Sequence, residues 1–236
     1  VSEYVTHRDA LTGPRLEALR EALLASRFVA RSPLMGSFQA SKGFAFIFTE
    51  AGKATLLERF PFLADYLSLV MEPRTTRGLL PWRERLFGPS SERLRPNAFY
   101  LNLLLLEAGK GVGRHIDATL SDPSGVRNAV PEHVSVLYLT VPSGVQGGSL
   151  HLLREDQLVG SVRPRPGLLV QFRGDLQHEV EPFTGGEAGA VRASLVCEQY
   201  AFGSEALARI PMFRIQSKAG FAAYLDAHRD REAATP

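Results

Sequence analysis

The feature that most limits what this chain can become is the succession of short apolar segments between Asn97 and about Phe202, most of them separated by glycine or proline. Residues 99–106 form an apolar run that ends in the glycine-rich turn EAGKGVG. Residues 133–141, HVSVLYLTV, alternate and are rich in β-branched side chains. Gly147 and Gly148 precede a segment over 149–153, and others follow over 158–162, 167–172 and 191–200. Segments this short, separated by turn residues, pair as antiparallel strands and close as a sandwich or jelly roll. A mainly β fold with flanking α is therefore expected, with its jelly-roll core over 97–202.

The flanks have a different texture. In PRLEALREALLASRFV, Leu16, Leu19, Leu23 and Leu24 repeat at helical spacing and Pro14 suits the first turn. SKGFAFIFTE reads as a strand with Phe44, Phe46 and Phe48 on one face. ATLLERFPFLADYLSLVME reads as helix, kinked or broken at Pro61. Residues 72–96 read as a long irregular loop, in which Trp82 suits either a lid or a local core anchor. Beyond Gly203, SKAGFAAYLDAHR has an amphipathic helical pattern. One domain over 1–236 is expected: a helical and loop support region (1–96), the core (97–202) and a C-terminal helical extension (203–236).

Composition narrows the function classes. The net charge is +2, with 27 basic and 25 acidic residues interspersed and no basic run, so no nucleic-acid partner is expected. The single cysteine, Cys197, excludes an internal disulfide framework, and its apolar surroundings suit an inert buried thiol. The opening VSEYVTHRDA has neither a basic nor an apolar leader segment, and no apolar run approaches a membrane span. A soluble, cytoplasmic protein with no membrane partner is expected.

The chemistry is carried by His115 and Asp117 in RHIDATL, His178 in QHEVEP and Arg192 in VRASLV. Side chains two apart on a strand share a face, so His115 and Asp117 can point together into a barrel. His178 lies far enough along for several strands to intervene before the chain returns to the metal from the opposite side. Two imidazoles and a carboxylate leave open coordination positions and suit non-haem Fe(II). A guanidinium after the second histidine offers a planar fork to a carboxylate, here that of a 2-oxo acid.

These residues sit in segments that resemble the prolyl 4-hydroxylase-like branch of the 2-oxoglutarate/Fe(II) oxygenases. RHID, VLYLT, GGSLHLL, RPGLLVQF and HEVEPFTGGEAGAVRASL occur in the order of that family's motifs. The resemblance spans Phe99 to Tyr200 and implies a double-stranded β-helix with flanking helices. It implies that His115, Asp117 and His178 ligate Fe(II), that Arg192 binds the distal carboxylate of 2-oxoglutarate, and that O2 is consumed. Tyr138 matches the tyrosine of the family's Tyr-Leu-Asn strand; it reads either as a donor to that carboxylate or as an ordinary strand aromatic. Ser194 shares the strand face of Arg192 and reads either as a further donor or as a serine bonded to backbone. Two departures from the pattern stand out. The TGGEAGA connection before Arg192 is long, and Glu107 replaces a tyrosine common in relatives, leaving Asn102 as a substitute pocket residue if Glu107 faces solvent.

The other polar residues are expected outside the site. Arg173 precedes His178 in a turn and does not fit the strand position of an anchor, and Arg114 suits a structural ion pair. His7 and His228 are expected to be solvated, and the facing of His133 and His151 is open. The implied reaction is hydroxylation of an amino-acid, peptidyl (prolyl included) or small-metabolite substrate, with release of succinate and CO2. The rival readings are a cupin-type dioxygenase that does not use 2-oxoglutarate and a non-catalytic jelly roll that retains metal for binding or sensing.

Overall fold

The structure, a computed structural model, describes residues 2–25, 44–79, 95–120, 129–187 and 189–216. In chain order these form β1 (Tyr4–His7), α1 (Gly13–Leu24), β2 (Ala45–Thr49), α2 (Lys53–Arg59), α3 (Ala64–Val70) and the single turn α4 (Pro73–Thr76). There follow β3 (Ala98–Glu107), β4 (Val112–His115), β5 (His133–Thr140), β6 (Gln146–Gly147), β7 (Leu150–Arg154) and β8 (Gln157–Val162). The remainder are β9 (Leu169–Arg173), β10 (Gln177–Val180), β11 (Phe183–Thr184), β12 (Val191–Tyr200), α5 (Ser204–Leu207) and β13 (Phe213–Gln216).

The strands make a seven-stranded sheet in the order β1-β9-β5-β12-β3-β2-β13 and a four-stranded sheet in the order β4-β10-β7-β8, with β11 and β6 paired at the side. Every described pairing is antiparallel. The largely apolar character of β3, interrupted by Asn102, has a direct cause, because both of its faces are covered. Leu101, Leu103 and Leu105 pack with Leu16, Leu19, Leu56, Leu63 and Leu67 of the helical layer. Leu104 and Leu106 face the other way and meet Val112, Leu150, Leu152 and Val180 of the smaller sheet. The space between the two sheets holds the site. This is the jelly-roll arrangement expected from the strand pattern.

Several local expectations hold. Pro14 occupies the first turn of α1, Pro61 separates α2 from α3 through a short 3-10 turn, and Phe44, Phe46 and Phe48 share the helix-facing core. Others are corrected. The opening segment contributes the edge strand β1, which pairs with β9, so the larger sheet begins well before residue 97. His7 lies in that strand, with Nε2 2.9 Å from the Thr75 carbonyl, and is half-buried. Residues 73–79 form short helical turns in place of irregular loop, and Leu79 is buried. Leu24 is exposed, so the apolar stripe of α1 is Leu16, Leu19 and Leu23. After Gly203 only α5 is helical among the described residues, and β13 then adds to β2 at the far edge of the larger sheet. Trp82, His228 and the 217–229 helical pattern lie outside the described residues.

Candidate metal and co-substrate site

β4 and β10 are neighbours in the smaller sheet, and His115 stands directly opposite His178. Opposed residues on adjacent antiparallel strands project to the same face, so the two imidazoles emerge side by side with ring centroids 4.2 Å apart. The second histidine thus arrives from the adjoining strand, in place of the expected return from the opposite side. Asp117 lies two residues past the end of β4, yet the alternation persists: Ile116 is 42% exposed and Asp117 only 5%. Its Oδ1 is 3.3 Å from His115 Nε2 and its Oδ2 3.5 Å from His178 Nε2. The three ligand atoms lie within 4.8 Å of one another, close enough to share one metal ion.

The outer ring nitrogens fix the tautomers. His115 Nδ1 is 2.8 Å from the Gly113 carbonyl and His178 Nδ1 3.4 Å from the Leu176 carbonyl. A carbonyl only accepts, so each Nδ1 carries a proton, and Nε2 is the nitrogen turned toward Asp117 and available to a metal. Burial holds the His178 pKa below the ordinary imidazole range and favours the neutral ring. Burial acts the same way on His115, but the hydrogen bond and charge of Asp117 outweigh it and raise its pKa. Burial opposes the charge of Asp117, and the two histidines more than offset this, keeping its pKa below the usual carboxylate range.

The other half of the site comes from the larger sheet. Arg192 and Ser194 share a face of β12, and Ser194 stands opposite Tyr138 on β5. Arg192 is 2% exposed, donates from Nη1 to the Gly148 carbonyl at 2.6 Å, and lies 5.4 Å from the centroid of the Tyr138 ring. The close approach depends on Gly148, whose φ is +76° and where a Cβ would stand 3.1 Å from the Cβ of Phe183. That left-handed conformation disfavours any side chain. Burial lowers the Arg192 pKa and pushes that of Tyr138 up to about 12.

Four buried polar atoms at this end have no hydrogen-bond partner: Arg192 Nε, Tyr138 Oη, Ser194 Oγ and Asn102 Oδ1. All four residues line one pocket together with His115, Asp117 and His178. Its empty volume, open mouth included, is about 500 Å³. Buried polar atoms are ordinarily satisfied, so their convergence on one space describes the polar ligand that space accepts. The open hydroxyl of Ser194 also removes the alternative in which it bonds to backbone.

Of the remaining sequence candidates, all but Asn102 fall elsewhere. Arg173 binds Asp175 at 2.8 Å, and its Nε lies 3.9 Å from Glu3 on the surface. Arg114 binds Asp156 at 3.0 Å and Glu179 at 3.2 Å, the structural role expected of it. His151 faces Glu179 and Glu181, away from the pocket. Glu107 is exposed at the end of β3, and Asn102 lines the pocket. Cys197 faces the helical layer, where burial pushes its thiol pKa up, as an inert thiol requires.

One polar pocket residue was not among the sequence candidates. Glu198 is buried, lines the pocket and accepts hydrogen bonds from Thr119 Oγ1 at 2.8 Å and from the Tyr200 hydroxyl. Burial and then the charge of Asp117 push its pKa up to about 8, against the pull of those two hydroxyls. The signal was present in VRASLVCEQY: positions 192, 194, 196 and 198 alternate onto one strand face.

No family model and no curated protein matches the sequence. Solved structures do resemble it. A prolyl-4-hydroxylase from Pseudomonas putida is 19% identical, with 86% of this chain and 95% of that chain covered and a TM-score of 0.52. A prolyl hydroxylase from Trichoplax adhaerens, in complex with a hypoxia inducible factor oxygen degradation domain peptide fragment, is 17% identical, with coverage of 88% and 87% and a TM-score of 0.52. The viral collagen prolyl hydroxylase of Paramecium Bursaria Chlorella virus-1, in its 2OG complex, is 13% identical, with coverage of 85% and 97% and a TM-score of 0.50. This chain therefore has the jelly-roll fold of the prolyl hydroxylases among the 2-oxoglutarate/Fe(II) oxygenases.

Proposed function

We propose that the protein is an Fe(II)- and 2-oxoglutarate-dependent dioxygenase of the prolyl 4-hydroxylase-like branch. It would hydroxylate a C–H bond of an amino-acid, peptidyl or small-metabolite substrate. The observation that carries this reading is the meeting, in one pocket, of the His115–Asp117–His178 cluster and the buried Arg192 with its unsatisfied Nε edge. The donor set fits the metal: two imidazoles, each able to ligate through Nε2, and one carboxylate, with room left for further ligands. The buried Tyr138, Ser194 and Arg192 donors fit a carboxylate. Fe(II) bound there with 2-oxoglutarate and O2 supplies the oxidising chemistry, which yields succinate, CO2 and a hydroxylated carbon.

The protein's own contribution is binding, orientation and exclusion of water. His115 and His178 are held in register by their backbone-bonded Nδ1 atoms. Arg192 is held by the Gly148 carbonyl, so its remaining edge is preorganised for the carboxylate of a 2-oxo acid. Leu104, Val136 and Leu150 give the same pocket apolar walls. There a charge-assisted hydrogen bond is stronger than at a surface. The rival without 2-oxoglutarate assigns no ligand to these buried donors. A peptide-bound neighbour lends support to a peptidyl substrate without selecting it over a free amino acid. Among the described residues no helix is long and apolar enough to cross a membrane.

Anaerobic addition of Fe(II) and 2-oxoglutarate tests the reading, because a visible charge-transfer band requires both on one centre. Succinate release on admitting air then distinguishes an enzyme from a binding module. A band without succinate would support the sensing alternative, and no band at all would remove the proposal.

A further inference from the structure

Asp117 stands where a strand no longer holds it. β4 ends at His115, so residues 116–119 have no ladder partner, and Asp117 Oδ2 accepts no hydrogen bond. The segment is held instead by the far end of β12. The Tyr200 hydroxyl accepts from the backbone N–H of Thr119 at 3.0 Å and of Leu120 at 3.4 Å. Thr119 Oγ1 donates to Glu198 Oε1 at 2.8 Å, and the Tyr200 hydroxyl donates to Glu198 Oε2. The phenol cannot swing freely, because its ring stacks on Phe202 at 5.6 Å with an interplanar angle of 4°. Leu120 is buried beside the same ring.

Resting on the metal-centre reading above, we infer that Glu198 and Tyr200 are positioning residues for Asp117. Acting through Thr119, they lock the ligand-bearing segment to β12 and so aim the carboxylate between the two imidazoles. A buried carboxyl is a costly device for packing alone, and here both of its oxygens are used on the hydroxyls that bracket Thr119. The same strand face carries Arg192 and Ser194 six and four residues earlier. One strand therefore sets the co-substrate anchor and the carboxylate ligand relative to each other.

Cobalt(II) provides the test, since its visible ligand-field spectrum reports coordination without any turnover. Thr119→Val removes the hydroxyl at nearly constant shape, whereas Thr119→Ser keeps it. Relative to the ionised carboxylate, Glu198→Gln retains only one acceptor for two donors, so this variant is compared at a pH where Glu198 is ionised. Thr119→Val and Glu198→Gln should weaken Co(II) binding by up to about tenfold, the low end of the effect of losing an outer partner of a ligand, because they reach Asp117 only through the backbone of 117–119. Their spectra should change, while Thr119→Ser stays like the wild type and the metal-free Thr119 variants unfold at the same temperature. Wild-type affinity and spectrum in both weakened variants, or equal losses in Thr119→Ser and Thr119→Val, would overturn the inference. If Glu198→Gln does not fold, the Thr119 pair decides alone. Absence of Co(II) binding in the wild type would instead remove the metal-centre reading on which the inference rests.

Discussion

Arg192→Ala separates co-substrate recognition from metal binding. In the native protein the guanidinium is 2% exposed, one nitrogen is bound to the Gly148 carbonyl, and Nε is open toward the pocket. A carboxylate arriving there forms a charge-assisted, forked pair out of water. Removing one partner of such a desolvated pair costs about 2–5 kcal/mol, a loss of roughly thirtyfold to several thousandfold in affinity. The upper part of that range is expected, because Tyr138 and Ser194 are neutral donors and leave the anion without a counter-charge. Arg192→Lys should recover only part of the loss, since an ammonium is a point charge without the fork. The assay is titration of 2-oxoglutarate into the anaerobic Fe(II) protein, followed by the charge-transfer band, with Fe(II) affinity measured separately. Fe(II) affinity should change little, because Arg192 touches none of the three ligands in the structure. An unchanged 2-oxoglutarate midpoint in Arg192→Ala, with a large shift in Arg173→Ala, would falsify the assignment.

His115→Ala and His178→Ala should each abolish or severely reduce Fe(II) binding, measured by equilibrium dialysis, while the variants remain folded by circular dichroism; full metal occupancy in either refutes the ligand set. Asp117→Ala should keep part of the metal affinity through the two imidazoles but lose succinate formation, and retained activity would exclude it as the carboxylate ligand. Glu198 has a folded-state pKa of about 8, above that of an unfolded glutamate. Its stabilising contribution is therefore complete in acid and is lost as pH rises through about 8. Denaturant titrations of the metal-free protein should show that loss, and Glu198→Gln should flatten it; an unaltered pH profile would be inconsistent with the shifted carboxyl. Gly148→Ala forces a side chain into a left-handed conformation at a cost of about 1–2 kcal/mol and presses on Phe183, so stability and 2-oxoglutarate affinity should fall together.

Much of this protein is legible in its residues because the relevant signals are local. Short alternating segments with glycine and proline between them identify the strands of the core, and β12 is bounded as the pattern implies. A histidine and an aspartate two apart identify a shared face, and Arg192 and Ser194 do so again. What one dimension cannot carry is which strand lies beside which. That His115 faces His178 is a fact of β4–β10 pairing, and no property of either segment contains it. The edge strands β1 and β13 escaped notice because each is only four residues long and gains its stability by adding to a sheet built elsewhere. Glu198 was hidden for a related reason. Its parity on β12 is visible in the sequence, but its value depends on a segment some eighty residues upstream, Thr119, being folded against it. Local propensity and alternation thus decided the elements and their inward faces. Only tertiary pairing decided which inward faces meet, and with that the metal centre and the four buried polar atoms left open to a ligand.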